Sequence, residues 1–138
     1  MYQLFYVSNA TDALGGEAGI QSILEAARRF NEPEGITGML LYRGGIFLQL
    51  LEGDRKKVEE LFERIERDPR HNNVIRLFGV ERNERLFGDW SMAYREVSEI
   101  DLKLINEMLS WNDLISGADS IDDELILRML GRFKYGPA

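Results

Sequence analysis

The segment GIFLQLLEG, residues 45–53, constrains the fold more than any other part of the chain. It alternates as a β-strand does, but both faces of that strand are apolar, which predicts a sheet that is covered on two sides. Gln49 is the exception, in the middle of one face. A buried primary amide costs roughly 1–3 kcal/mol for each polar group left without a hydrogen-bond partner. We therefore expect either the protein or a bound ligand to pair with Gln49.

Length and charge narrow the class of protein. The chain has 138 residues, which predicts one domain with a core of its own. Its net charge of −7 argues against a nucleic-acid-binding surface and against attraction to an anionic membrane. The chain contains no cysteine, no apolar run that approaches about 20 residues, and no signal-peptide pattern. We expect a soluble cytoplasmic protein.

Hydrophobic periodicity divides residues 1–96 into short strands and two helices. Apolar side chains recur at helical spacing in two stretches, and each stretch ends before a proline, Pro33 or Pro69. The dipeptide Gly44-Gly45 predicts a tight hairpin turn between two strands. The predicted elements in chain order are strand 2–8, a helix that ends near residue 31, strands 36–42 and 46–51, a helix capped by Asp54, and strands 74–80 and 90–96.

The order β-α-β-β-α-β, with one further strand, predicts the fold class, which is an α+β, ferredoxin-like sandwich. Both helices should lie on one face of a largely antiparallel sheet. A right-handed crossover through the first helix allows the first and third strands to be central neighbours. This arrangement should bring Tyr6, on the first strand, close to Gln49 on the third.

The pattern changes after Glu96. Ser98 and Asp101 resemble a helix capping box, and apolar stripes then predict two helices with a break near Gly117. Neither helix has a core of its own, so we expect the pair to cover the second face of the sheet. Their apolar surface also favours a homo-oligomer.

Three polar residues occupy positions that should face the core: Tyr6, Asn31 and Gln49. Each has an ordinary explanation, as a core aromatic with a paired hydroxyl, a helix C-cap and an amide paired with nearby backbone, respectively. Together they favour another interpretation, because two amides and a phenol would converge between the helices and the sheet. A planar heteroaromatic ligand with amide-like edges would pair with all three in a mostly apolar pocket.

A second polar group consists of Arg64, Asp68 and His71, which we place at the end of the second helix. These residues could form only an exposed ion pair beside a histidine, or they could bind the phosphate or sugar tail of a ligand. The chain has one histidine, which argues against a metal site, and no nucleophile with a partner base stands out. Trp90 and Met92 share a face of the last predicted strand and could simply fill the core.

In combination, these residues resemble the BLUF family, the flavin-binding blue-light sensors. The resemblance rests on six stretches of sequence, and on their combination rather than on any single one. The stretches are LFYVS at 4–8, RFN at 29–31, GITGMLLY at 35–42, FLQLLEG at 47–53, DPRH at 68–71 and FGDWSM at 87–92. The resemblance implies a flavin-binding BLUF domain at 1–96 and a helical extension at 97–138 that serves as cap and output.

The resemblance also implies roles for individual residues. Tyr6 would donate an electron and a proton to the photoexcited flavin, and Gln49 would lie between Tyr6 and the N5/O4 edge of the flavin. Ile23 would pack against the flavin ring, and Asn31 would hydrogen-bond its edge. The other implied residues lie towards the ribityl and phosphate end of the flavin (Arg64, Asp68 and His71) or in the signal relay (Ser8, Trp90 and Met92).

The function that this resemblance implies is that of a photoreceptor, not of an enzyme. A change in the hydrogen bonds of Gln49 would pass through the last strand and the C-terminal helices to a protein partner that the sequence does not name. FAD is the expected cofactor, with FMN as the alternative. Two other classes fit the same fold, namely a ferredoxin-like small-molecule enzyme and an interaction module. Both would be colourless when purified, whereas a flavoprotein absorbs visible light.

Overall fold

The computed structural model describes residues 1–88 and 92–96, except for the side chains of Ala93 and Arg95. The described elements, in chain order, are β1 (Tyr2–Ala10), a 3₁₀ turn (Asp12–Leu14), α1 (Gly16–Asn31), β2 (Thr37–Arg43), β3 (Ile46–Gly53), α2 (Arg55–Arg67), β4 (His71–Glu81) and β5 (Ala93–Glu96). This order confirms the predicted ferredoxin-like α+β fold. Trp90 and the two helices predicted after residue 97 lie outside the described residues.

The strands form one sheet in the order β4-β1-β3-β2-β5. The first four are antiparallel to their neighbours, and β5 runs parallel to β2 at the edge. β1 and β3 are therefore adjacent and central, as the crossover argument predicted. Because directly opposed residues of an antiparallel pair share a face, the register Tyr6↔Gln49 places both side chains on the same side of the sheet.

Both helices pack on that side. The inner members of their apolar stripes, Ile20 and Leu24 of α1 and Val58 and Phe62 of α2, are buried in one cluster with side chains of the strands. The cap of α2 is as predicted, since the Asp54 carboxylate accepts a hydrogen bond of 3.2 Å from the backbone N–H of Lys57. The helices thus cover the face of the sheet that carries Tyr6 and Gln49.

The opposite face is buried as well, which confirms the two-sided burial predicted for β3. Its residues include Phe5, Leu41, Leu48 and Leu50, each at most 2% exposed. These side chains alternate with the helix-facing ones along their strands. What we predicted to cover this face, the two C-terminal helices, lies outside the part of the chain that the structure describes.

Two strands begin three residues away from their predicted starts. β4 begins at His71 rather than at residue 74, so His71 opens a strand instead of lying at the end of α2. The sequence does not indicate this start, because the polar residues Asn72 and Asn73 interrupt the apolar alternation of a strand. The strand begins at His71 because His71 pairs with Ala10 of β1. β5 begins at Ala93 rather than at residue 90, and its pairing with Met39 of β2 sets that start.

A buried carboxylate holds the loop that follows β4. Glu52 is 0% exposed and lies beside Gln3 on the face of the sheet opposite to the helices. It accepts hydrogen bonds from Gln3 Nε2 at 2.7 Å, from the backbone N–H of Leu86 at 2.6 Å and from that of Phe87 at 2.7 Å. One side chain of β3 therefore ties a distant loop to the sheet.

Substitution Glu52→Leu should lower the free energy of unfolding by about 3 kcal/mol, because three donors lose their acceptor at a buried position. Denaturant unfolding measures this change. The control Glu60→Leu removes the same charge at an exposed position of α2 and should change stability by less than about 0.5 kcal/mol. Equal effects of the two substitutions would contradict the structural role of Glu52.

Candidate functional site

Tyr6 and Gln49 form the centre of the site. The Tyr6 hydroxyl donates a hydrogen bond to Gln49 Oε1, and the two side chains are 1% and 5% exposed. Gln49 Nε2 donates in turn to Met92 Sδ at 3.3 Å. A phenol on one side and a thioether on the other thus orient the amide of Gln49.

Two buried amides retain hydrogen-bonding capacity. A primary amide has two N–H donors and an oxygen with two acceptor sites, and Gln49 uses one of each for Tyr6 and Met92. The side chain of Asn31 is buried, yet it makes no hydrogen bond to any residue in 1–88 or 92–96. Its role as a helix C-cap, an alternative from the sequence, is wrong, because Glu32 is the C-cap of α1 and is right-handed helical.

A cavity of about 200 Å³ lies between the two helices, above the sheet. The half-buried members of the helix stripes line it, Ile23 and Ala27 from α1 and Leu61 and Ile65 from α2. The inner residues of each apolar stripe contact the sheet, and the outer residues face the cavity. The polar residues of the lining are Tyr6, Asn31, Gln49, Arg64, Asp68, Arg70 and His71.

An ion pair stands at one end of this cavity. Arg70 Nη2 lies 2.6 Å from Asp68 Oδ2, Arg70 Nε lies 3.0 Å from Oδ1, and the backbone N–H of Arg70 also donates to Oδ1 at 2.9 Å. The hydrogen bonds from Arg70 hold the pKa of the Asp68 carboxyl below its ordinary value. Arg64 lines the same cavity. This end of the site therefore offers two guanidinium groups and an ionised carboxylate.

His71 connects the ion pair to the core. Its Nδ1 lies 2.9 Å from the hydroxyl oxygen of the buried Ser8, and its ring centre lies 6.4 Å from that of Tyr6. Burial lowers the pKa of the imidazole; Asp68 opposes that shift and Arg70 adds to it. His71 is therefore neutral at pH 7 and keeps one ring N–H.

Tyr6 is itself held as a neutral phenol. Its ring centre lies 5.5 Å from that of Phe62, and burial, with a smaller effect from the charge of Asp68, raises the pKa of the hydroxyl far above its ordinary value. A phenol that keeps its proton can donate its hydrogen bond to Gln49 throughout the physiological range.

The structure brings most of the predicted site residues together. Those that line the cavity are Tyr6, Ile23, Asn31, Gln49, Arg64, Asp68 and His71. Ser8 contacts His71 instead of lining the cavity, and Met92 contacts Gln49. Trp90 lies outside the described residues, so its predicted place in the relay stays a prediction.

Sequence reasoning missed Arg70 and Leu40. Arg70 lies in the DPRH stretch, two residues after Asp68. An arginine so close to an acidic residue, with a proline between them, could have suggested the ion pair. Leu40 is opposite Gln49 in the β2–β3 register and lines the cavity, which only the pairing of the two strands reveals.

Neither helix described here combines the length and hydrophobicity that crossing a bilayer requires. Residues 1–88 and 92–96 also contain no cluster of three or more His, Cys, Asp or Glu side chains placed to hold a metal ion. The cavity combines apolar walls with two amides and a phenol, which suits an organic ligand.

Comparisons with known proteins agree on one family. Residues 1–93 match the family model described as BLUF, sensors of blue-light using FAD. The photoactivated adenylate cyclase subunit beta of Euglena gracilis is 36% identical over 91 residues, which cover 65% of this chain and 10% of that protein. The structure of BlsA in its ground state aligns with a TM-score of 0.77 at 30% identity, covering 94% of this chain and 87% of that one. The dark-state structure of BlrB, a BLUF protein, aligns with a TM-score of 0.69 at 30% identity over 94% of each chain.

The chain belongs to the BLUF family of flavin-binding blue-light sensors. A BLUF domain is a photosensor rather than an enzyme. The chain spans about a tenth of the length of the cyclase subunit that it matches.

The residues present fit a flavin on the evidence of their own chemistry. A flavin ring is planar and apolar on its faces, and it carries carbonyl and ring-nitrogen groups along one edge. The apolar residues of the cavity suit the faces, and the unused donors and acceptors of Asn31 and Gln49 suit the edge. The two arginines suit the phosphate end.

The free energy of unfolding should rise as the pH increases from the lowered pKa of folded His71 through the ordinary histidine pKa of about 6.5, because burial lowers the pKa of His71 in the folded state. Below its ordinary pKa the unfolded chain binds a proton at this histidine and the folded chain does not. His71 is the only histidine, so His71→Gln should flatten the dependence, as denaturant unfolding at several pH values can measure. An unaltered slope in the variant would assign the titration to other groups.

Proposed function

We propose that this protein is a blue-light photoreceptor in which the Tyr6–Gln49 pair is the switch and FAD is the chromophore. The observation that carries this proposal is the hydrogen bond from a fully buried tyrosine to an amide that also faces an apolar cavity. No other pair of described polar residues joins a redox-capable side chain to that cavity in this way.

Different residues of the cavity would bind different parts of the flavin. Asn31 and Gln49 would pair with the polar edge of the ring, while Ile23 and Ile65 would pack on its faces. Arg64 and Arg70 would bind the phosphate groups, with Asp68 keeping Arg70 in place. We propose FAD rather than FMN because the family is described by its use of FAD.

A flavin supplies the absorption of blue light and, once excited, a strong one-electron oxidant. Tyr6 is the donor in this proposal, since its ring lies beside the cavity and its hydroxyl already points at Gln49. A phenol that loses an electron becomes a strong acid, so the Tyr6 proton moves along the existing hydrogen bond to Gln49 Oε1. Tyr6 recovers its electron and its proton when the primary step ends.

Gln49 is left in a changed arrangement, with its amide rotated or tautomerised. Its Nε2 then no longer donates to Met92 Sδ in the same way, and the hydrogen bonds that it offers to the cavity change. The changed hydrogen bonds of Gln49 would shift the absorption of a bound flavin slightly to the red. Met92 immediately precedes β5, so the change reaches the edge of the sheet.

In this proposal, β5 transmits the light-induced change from the site to the rest of the chain. This strand has four residues and pairs only with β2 among the described strands, so little holds it in place. We propose that residues 1–96 form the sensor and that residues 97–138 pass the change to a protein partner. The adenylate cyclase relative shows by its name that light sensing and an effector activity can be combined in one protein.

Purified protein loaded with FAD should show a reversible red shift under blue light, and Tyr6→Phe should abolish it while leaving flavin bound. Phe fills the same space but is a far poorer electron donor and has no hydroxyl proton, and its stability cost should be about 1 kcal/mol. The measurement is a light-minus-dark absorption spectrum with flavin content determined separately.

The matched control is Tyr42→Phe, on the same face of the sheet, which should switch normally. A wild-type protein that takes up no flavin would overturn the proposed function. A normal red shift in Tyr6→Phe would overturn the assignment of Tyr6 as donor.

Substitution Gln49→Leu should retain the fold and the flavin but lose the red-shifted state, because no amide remains to exchange hydrogen bonds. Leu suits a strand that already carries Leu48 and Leu50. The same difference spectrum tests this outcome, with Gln21→Leu at an exposed position of α1 as the control. If Gln49→Leu gave the wild-type difference spectrum, Gln49 would be structural only.

A further inference from the structure

A side chain of α1 holds the backbone of the residue that contacts Gln49. Arg28 Nε donates a hydrogen bond of 3.2 Å to the carbonyl oxygen of Met92. Met92 is 2% exposed, and its Sδ accepts the hydrogen bond from Gln49. The guanidinium of Arg28 and the amide of Gln49 therefore act on the same residue, one on its backbone and one on its side chain.

Two other sets of described contacts lie on either side of Met92 in the chain. On one side, Glu52 holds the backbone of Leu86 and Phe87. On the other side, the four residues of β5 pair with β2 at the edge of the sheet. Arg28 provides the attachment at Met92 itself, and it comes from the helix that also carries Asn31 and Ile23 of the cavity.

The side chain of Arg28 is exposed, so its contact with Met92 is not part of the packed core. Arg28 is exposed on α1, so its removal leaves no cavity and no buried polar group on the helix. The neighbouring Arg29 is exposed as well, and it makes no hydrogen bond or ion pair with residues 1–88 or 92–96. The two arginines carry the same charge and lie on the same helix, but only Arg28 donates a hydrogen bond to Met92. Arg29 is therefore a matched control.

We propose that Arg28 is a positioning residue of the photoswitch. Its hydrogen bond fixes the backbone of Met92 so that the sulfur stays within reach of Gln49, and it couples α1 to the start of β5. The bond loosens when Gln49 changes its hydrogen bonds, and its re-formation helps to drive the return to the dark arrangement. The inference about the return step rests on the proposed function, whereas the placement of Met92 does not.

The first test is made in the dark on the full chain. Protein carrying ¹³C-methyl methionine gives one signal for each of five methionines, and Met92→Leu assigns the signal of Met92. In Arg28→Ala this signal should move towards the position of a solvent-exposed methionine, whereas Arg29→Ala should leave it unchanged. An unmoved signal in Arg28→Ala, or the same movement in Arg29→Ala, overturns the proposal.

The second test follows the recovery of FAD-loaded protein after blue light. Arg28→Ala should recover more slowly by about threefold or more, as the loss of one partly exposed hydrogen bond predicts, and Arg29→Ala should recover at the wild-type rate. An unchanged or faster rate in Arg28→Ala overturns the role in the return step. If the wild-type protein shows no response to light, the proposed function fails, and the methyl signal still decides whether Arg28 positions Met92.

Discussion

The antiparallel register of β1 and β3 is the constraint on which the site depends. It sets Tyr6 directly opposite Gln49 at the centre of the sheet, where both side chains are buried beneath the helices. A slip of one residue would turn one of the two towards the other face and break the contact. The flanking apolar residues make such a slip costly, since both faces of β3 are packed. The hydrogen bond between phenol and amide is therefore held by the whole sheet.

The cavity follows from the way the helices pack on this sheet. Each helix has an apolar stripe whose inner residues, such as Leu24 and Phe62, are buried against the strands. The outer residues Ile23 and Ile65 face the space between the helices. Apolar side chains beside a cavity, together with two buried amides, Asn31 and Gln49, that retain hydrogen-bonding capacity, form a surface that suits a ligand.

Electrostatics at the end of the cavity and the edge of the sheet serve different purposes. Burial, with a smaller effect from the charge of Asp68, raises the pKa of Tyr6 and keeps the phenol protonated, and Arg70 holds the pKa of the Asp68 carboxyl low. At the edge of the sheet, single hydrogen bonds from Arg28 and Gln49 reach Met92. The strand that follows Met92, β5, has four residues and pairs only with β2 among the described strands, so this edge of the sheet can change more readily than its centre.

The sequence by itself determined the fold class, the Asp54 cap of α2, the two-sided burial of β3 and several of the residues that line the cavity, because local periodicity records burial and the family stretches record the site. It did not determine the start of β4 at His71, since the polar Asn72 and Asn73 hide a strand that exists through its pairing with β1. Nor did it indicate that Glu52 would bind the backbone of Leu86 and Phe87, or that Arg28 would reach Met92. These contacts join residues more than 30 positions apart, and a pattern along the chain carries no information about which distant backbone group a side chain will meet. Only the packed sheet and helices decide that, because strand register and side-chain reach act together in three dimensions.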